Sequence, residues 1–290
     1  MFKGSIVALV TPFRNGAFDE KAYGDLIEWH IAQGTHGIVP CGTTGEASTL
    51  SFEEHYRVIE VAVEAVNKRI PVIAGTGANA TDEAIDLTKR AKQLGADGAL
   101  VVTPYYNKPT QEGLYRHYKA IAGAVDIPLV LYNVPGRTAV NLLPATVARL
   151  AEIRNVVGIK EATGDMKQAS ELIRLCGDRL SVVSGDDFTT LPMLCLGGRG
   201  AISVTANVAP GDSAGMFNAW ERGDIAKARE LHYKLEPVNA AMFIETNPIP
   251  VKTAVALMGR ITDELRLPLC EMSAANKEKL AGVLKNAGII

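Results

Sequence analysis

Short, unbroken apolar runs rich in valine, isoleucine and leucine recur along the chain at 5–10, 37–39, 71–74, 98–102, 128–132, 156–160, 180–184 and 200–204. They start at spacings of roughly 20 to 35 residues, the rhythm of strands separated by helices. Between them lie segments whose apolar residues repeat with helical period, at 19–33, 51–67, 81–94, 111–124, 144–152, 165–176 and 187–196. Ser51 with Glu54 three positions on is a capping box, and Gly34, Gly95 and Gly177 fall where helix C-terminal glycines belong. Strands without polar alternation are buried on both faces, so this pattern predicts a parallel sheet covered by helices. Eight such units favour an α/β architecture closed as a (β/α)8 TIM barrel. A doubly wound open sheet has the same local signature, but it normally carries G-x-G-x-x-G after its first strand, where this chain has Thr11-Pro12-Phe13. Beyond 204 the pattern is helical only, at 211–222, 225–235, 250–258 and 274–286. The expected organisation is therefore a barrel over 1–224 and a C-terminal helical domain over 225–290.

Composition adds exclusions. With 47% hydrophobic residues, 21% charged residues and a net charge of −2 in 290 residues, the chain is globular and offers no electrostatic case for nucleic acid or an anionic membrane as partner. The apolar patch near the amino terminus is interrupted by Pro12 and Arg14, and no run of about 18 apolar residues follows. The expected location is the cytoplasm. Cysteines 41, 176, 195 and 270 have no metal or redox spacing, so most are expected as reduced, buried thiols. Histidines 30, 36, 55, 117 and 232 make no i,i+4 pair, so no metal site is expected.

Candidate chemistry sits at strand ends. The run 156–160 ends on Lys160, and strand alternation puts Val156, Gly158 and Lys160 on one face. Burial disfavours a charged amine, and a neutral lysine forms Schiff bases with carbonyl carbon. The ordinary alternative is a lysine that snorkels to water and pairs with Glu161 or Asp165. Loop 41–46, Cys-Gly-Thr-Thr-Gly-Glu, offers backbone N–H groups and the Thr43 and Thr44 hydroxyls to an anion, unless it is a plain glycine turn. By parity Tyr132 points the same way as Lys160 from the adjacent strand, and Arg137 follows in a loop where a guanidinium suits a carboxylate. Two aromatics, Tyr105 and Tyr106, stand on a proline-bounded loop more suited to an interface. Asp186 and Asp187 invite an acid/base or metal reading, but Asp187 also sits where a helix N-cap belongs. The glycines of 197–200 resemble a phosphate loop, although they precede their strand rather than follow it.

Taken together, G-T-T-G-E at 42–46, Y-Y-N-K-P at 105–109, Y-N-V-P-G-R-T at 132–138, G-I-K-E-A-T-G-D at 158–165 and S-G-D-D at 184–187 closely resemble the dihydrodipicolinate (4-hydroxy-tetrahydrodipicolinate) synthases, a branch of the pyruvate-dependent class I aldolases. The resemblance spans essentially the whole chain in order. It implies a Schiff-base lyase that condenses pyruvate with L-aspartate 4-semialdehyde to 4-hydroxy-tetrahydrodipicolinate, in lysine and diaminopimelate biosynthesis, with no metal and no organic cofactor. By the same resemblance Lys160 forms the imine and Thr43 and Thr44 bind the pyruvate carboxylate. Ile202 also contacts substrate. Tyr132, Thr44 and Tyr106 form a proton relay, with Tyr106 supplied by a neighbouring subunit of a tight dimer that pairs into a dimer of dimers. Arg137 receives the carboxylate of the second substrate. An inhibitory L-lysine cleft at that interface matches Ala47, Ser48, His55, Asn79, Glu83 and Tyr105. Two positions depart from it: Ala47-Ser48 stand where such members commonly read Ser-Ala, and Phe52 stands where some have histidine. The rival readings are another pyruvate-dependent aldolase, of the N-acetylneuraminate lyase or keto-sugar-acid type, and a catalytically silent relative. Thr43-Thr44, Arg137 and Tyr106 favour the synthase over the first, and the intact Lys160, Tyr132 and Arg137 argue against the second.

Overall fold

The computed structural model describes residues 2–290. Strand β1 (Gly4–Ala8) leads through a hairpin, β2 (Phe13–Arg14) and β3 (Ala17–Phe18), to α1 (Glu20–Ala32), β4 (Gly37–Val39) and α2 (Phe52–Val66). Four strand–helix repeats follow: β5 (Ile73–Gly75) and α3 (Thr81–Gln93), β6 (Gly98–Val102) and α4 (Gln111–Ala124), β7 (Leu129–Asn133) with the single turn α5 (Pro135–Thr138) and α6 (Pro144–Leu150), then β8 (Val156–Glu161) and α7 (Met166–Cys176). The last two units are β9 (Ser181–Ser184) with α8 (Thr190–Cys195) and β10 (Gly200–Ser203) with α9 (Pro210–Glu221). Three more helices end the chain: α10 (Ile225–Ala241), α11 (Ile249–Leu257) and α12 (Ala274–Asn286). The eight-stranded sheet has the order β4-β1-β10-β9-β8-β7-β6-β5. That is chain order taken cyclically, the topology of a (β/α)8 barrel.

The chain forms two compact units. The first holds Pro71–Ile202 with Phe2 and Lys3. Within it β5 to β10 pair parallel, neighbour to neighbour. Leu100, Val101, Val130, Leu131 and Ile159 are buried, as strands without polar alternation require. At Leu129/Val130 the register of β7 on β8 shifts: Leu129 pairs with Val156, Val130 with Gly158. Val157 is the extra residue of a bulge, so the strict alternation expected from Val156 holds only from Gly158 onward.

The second unit holds Gly4–Ile70 and Ser203–Ile290. Val10, Leu26, Val204 and Val208 share an apolar cluster with Val238 and Met242, with Val251 and Val255 of α11, and with Leu280 and Leu284 of α12. Each side chain of that size contributes about 1.5–3 kcal/mol when fully buried. The Ser51–Glu54 capping box opens α2, and the same Glu54 takes the Arg266 guanidinium. That guanidinium holds the Glu54 carboxyl down at about 2. Among the described residues no helix is long and apolar enough to cross a membrane.

Several expectations change. The N-cap after β9 is Asp186, whose carboxylate accepts from the Phe188 N–H at 3.2 Å, and Asp187 begins the turn instead. Gly197 and Gly198 close α8 by donating to Leu194 and Met193 at 3.0 and 2.8 Å, and Arg199 N–H donates to Val182 before Gly200 opens β10, so these N–H groups belong to a helix end and a strand start rather than to a phosphate loop. Cys41 and Cys176 are buried but Cys195 and Cys270 are exposed, half rather than most. Arg137 lies in the turn α5 rather than in an open loop.

Candidate active site

The bulge in β8 decides what Lys160 meets. Counting evenly from the Leu129–Val156 pair, Tyr132 would face Ile159. The inserted Val157 advances β8 by one residue, and Tyr132 pairs with Lys160. Both residues then stand at the carboxyl ends of neighbouring strands, where barrels carry their chemistry. Lys160 is only 5% exposed, and its Nζ lies 4.3 Å from the centroid of the Tyr132 ring. A lysine this enclosed does not snorkel to water. Its two suspected ion-pair partners are engaged elsewhere. Asp165 caps α7 through the N–H groups of Lys167 and Gln168. Glu161 is buried and accepts from the Thr163 N–H at 2.9 Å, Asn133 Nδ2 at 3.1 Å and Gln168 Nε2 at 3.3 Å. Asn141 joins this network from the segment after β7, bonding Asn133 and Gln168 at 2.8–3.0 Å. The network ties the ends of β7 and β8 to α7 one residue beyond the Tyr132–Lys160 pair.

Gly185, in the S-G-D-D motif at 184–187, presses against Lys160. A Cβ built there would lie 2.6 Å from Ala162 Cβ, 2.9 Å from Lys160 Cε and 3.0 Å from Lys160 Cγ. The lysine stem therefore passes directly against the backbone that follows β9, and the missing side chain is what lets it pass. Arg137 is exposed on α5, and Ile202 is buried in β10.

Around β6 the same unit carries Tyr105 and Tyr106. Tyr106 is 92% exposed and has φ of 65°. Its neighbour is held: Asn79 Oδ1 accepts from the Tyr105 N–H at 2.8 Å, and the Asn79 carbonyl accepts from Asn107 Nδ2 at 3.3 Å. Glu83, on α3, is half-buried. The structure thus brings Asn79 and Tyr105 together, whereas the Asn79 oxygen is spent on backbone.

The second unit carries the threonine loop. Two of its N–H groups are used internally, Gly45 donating to Gly42 and Glu46 to Thr43 at 3.1 Å, and the following Ala47 donates to Gly42 at 3.3 Å. The anion nest expected from 41–46 loses those two donors. Thr43 is exposed, whereas Thr44 is 2% exposed and its Oγ1 accepts from Asn247 Nδ2 at 3.0 Å. Glu46, with φ of 55°, is buried and paired to the buried Lys252 at 2.5 Å. Lys252 also lies over the Phe13 ring, and desolvation pulls its ammonium below the usual lysine range against the opposing pull of Glu46. Ala47 is half-buried, Ser48 is exposed, and His55 is buried with its carbonyl facing Cys41 Sγ at 3.5 Å. Asn247 and Lys252 were invisible in the sequence as site residues, because they lie some 200 positions from the loop they hold.

The model of the dihydrodipicolinate synthetase family matches residues 1–287. A 4-hydroxy-tetrahydrodipicolinate synthase of Thermodesulfovibrio yellowstonii is 74% identical over 290 residues, covering 100% of both chains. The crystal structure of a chloride-inhibited dihydrodipicolinate synthase from Acinetobacter baumannii, complexed with pyruvate, is 55% identical with a TM-score of 0.98 and covers 100% of both chains. A structure of the enzyme from Cyanidioschyzon merolae with lysine bound is 39% identical, with a TM-score of 0.97 over 100% of this chain and 99% of that one. Full-length similarity at this level, joined to a buried lysine over a tyrosine ring at the strand ends, leaves one conclusion: the chain belongs to the dihydrodipicolinate synthetase family.

Proposed function

We propose that this protein condenses pyruvate with L-aspartate 4-semialdehyde to 4-hydroxy-tetrahydrodipicolinate through an imine on Lys160. The observation that carries the reading is the enclosed Lys160 amine over the Tyr132 ring at the end of β8. The full-length relatives that bear this activity in their names support it. In this reading the amine adds to the ketone carbon of pyruvate and water leaves. The imine nitrogen withdraws electrons, the methyl group loses a proton, and the enamine carbon attacks the aldehyde. The amine of the second substrate then displaces Lys160 and closes the ring, with one water lost overall. We assign the pyruvate carboxylate to Thr43 and Thr44, a further substrate contact to Ile202, the carboxylate of the second substrate to Arg137, and the proton relay to Tyr132, Thr44 and Tyr106. These assignments rest on the motif resemblance. The test is borohydride reduction in the presence of pyruvate, followed by peptide mass mapping. A reduced pyruvate adduct is expected on the Lys160 peptide and none in Lys160→Ala; an adduct that persists in that variant overturns the assignment.

We also propose that L-lysine, the product of the pathway this reaction serves, binds at Ala47, Ser48, His55, Asn79, Glu83 and Tyr105. Support comes from the lysine-bound relative and from Tyr105, which Asn79 holds next to the relay residue Tyr106. A ligand that moves Tyr105 disturbs Tyr106. Isothermal titration should show lysine binding that Glu83→Thr weakens, and silence at millimolar lysine would remove the proposal.

A further inference from the structure

The Thr44 hydroxyl carries one proton and two lone pairs, and a relay depends on which way that proton points. In the structure one lone pair is already taken. Asn247, 5% exposed and two residues before α11, donates Nδ2–H to Thr44 Oγ1 at 3.0 Å. A donor on that side forbids the Thr44 O–H from pointing there, so its proton is turned elsewhere. The loop has other anchors besides this bond. Thr11 Oγ1 donates to the Gly45 carbonyl at 2.7 Å, Lys252 pairs with Glu46, and the Arg266 N–H and guanidinium donate to Glu46 and to the Thr49 carbonyl at 3.1 Å. With the loop held by four other contacts, two on its backbone carbonyls and two on the Glu46 carboxylate, what the Asn247 Nδ2 bond adds is the orientation of a single hydroxyl.

We infer that Asn247 is a positioning residue that fixes the direction of the Thr44 proton for the reaction. The inference deepens the proposed function and rests on the role assigned there to Thr44. It makes an inverted demand on substitutions. Aspartate is close to isosteric with asparagine, but once ionised it only accepts, so the Thr44 O–H turns toward it and is lost to the relay. Alanine merely leaves the hydroxyl free to rotate. A structural role would rank the two the other way, with the isostere milder.

The experiment measures kcat and KM for pyruvate across pH in Asn247→Asp, Asn247→Ala, Thr44→Val and the Thr44→Val/Asn247→Ala double variant, with thermal unfolding recorded for each. Expected at neutral pH is a fall in kcat of about tenfold for alanine and more for aspartate, with the smaller change in KM. The ratio of Asn247→Asp to wild type should recover as pH falls, because a protonated carboxyl can again donate to Thr44, while the Asn247→Ala ratio stays flat. Asn247→Ala should add nothing to Thr44→Val, the signature of a residue acting through another. The inference is overturned if the alanine change slows Thr44→Val by the same factor as it slows wild type, or if a folded aspartate variant matches or exceeds alanine at every pH. Should aspartate prevent folding, the alanine cycle decides alone. Borohydride trapping on the wild-type enzyme separates the two levels: failure to trap pyruvate removes the proposed reaction, whereas trapping with an additive cycle removes only the role of Asn247.

Discussion

A single methyl group separates Gly185 from a residue that obstructs Lys160. Its Cβ would meet Ala162 Cβ at 2.6 Å, which cannot yield without backbone movement, and the Lys160 stem at 2.9–3.0 Å, which can. The lysine therefore gives way, and its amine leaves its place over Tyr132. Gly185→Ala is expected to cost about 1–3 kcal/mol of stability by overpacking. It should slow pyruvate trapping on Lys160 by about a hundredfold, since misplacement of about 1 Å at a reacting atom has that effect. Trapping at the wild-type rate in a folded Gly185→Ala enzyme would show that the lysine tolerates the clash. At this scale legibility in the sequence followed chain distance. Lys160, Tyr132 and Thr44 could be named as candidates because strand ends and motifs are local. Gly185 was named only as a letter of a motif, because its contact with Lys160 crosses strands. Asn247 gave no signal at all, since nothing in N-P-I-P tells which hydroxyl it faces. The N-cap was missed by one position because two adjacent aspartates offer the same side chain, and only the φ/ψ of the turn selects Asp186.

Helices were legible to within a residue or so at most ends, because an apolar period and a cap give independent marks of one boundary. Helix α10, which runs on to Ala241 past the expected 235, is the main exception, continuing through Pro237. The hairpin β2/β3 was missed although Asn15-Gly16, with φ of 54° and 79°, is a strong turn signal, because strands of two residues carry no period. The bulge at Val157 was equally illegible: alternation is read on one strand, and a bulge exists only against its partner. Two helices nevertheless announce something further by spacing. His30 lies on the buried stripe of α1 with Leu26 and Ile27, and His117 on that of α4 with Leu114 and Ile121. Desolvation, aided by Arg260, holds His30 at about 3, and desolvation holds His117 at about 4, both below the usual 6.5. The unfolded chain thus takes up these protons first, so stability is complete above pH 6.5 and is lost as pH falls from 6.5 toward 4 and 3. Glu54 adds a second loss, beginning near 4.5 and running toward 2 as its Arg266 pairing is protonated away. Thermal unfolding of wild type should weaken between pH 6.5 and 4.5, before Glu54 contributes. His30→Gln and His117→Gln should each flatten that segment, and an unchanged slope in both would assign the acid lability to other groups.

At the scale of the whole molecule the sequence yielded the cyclic order of eight βα units and the helices beyond them, because each unit repeats a local grammar. The subunit arrangement has no such grammar. What one chain does display is an aromatic that its own fold leaves outside: Tyr106, 92% exposed and at a left-handed φ, on a segment whose base Asn79 fixes. Exposed large aromatics of this kind are anchors for another surface. If that surface belongs to a second copy, as the relay assignment requires, each site of a two-fold dimer takes Lys160 from one chain and Tyr106 from the other. Lys160→Ala chains and Tyr106→Phe chains are then defective for different reasons and can repair each other once. In a mixed dimer the site holding the intact Lys160 receives the intact Tyr106 from the Lys160→Ala chain, while the other site lacks both. Random exchange makes half the dimers mixed, so mixing equal amounts of the two variants should restore about a quarter of wild-type activity. A tyrosine that served its own chain predicts no gain over the sum of the two variants, however complete the exchange. Activity measured on heterodimers confirmed by native mass spectrometry therefore separates a shared site from a self-contained one.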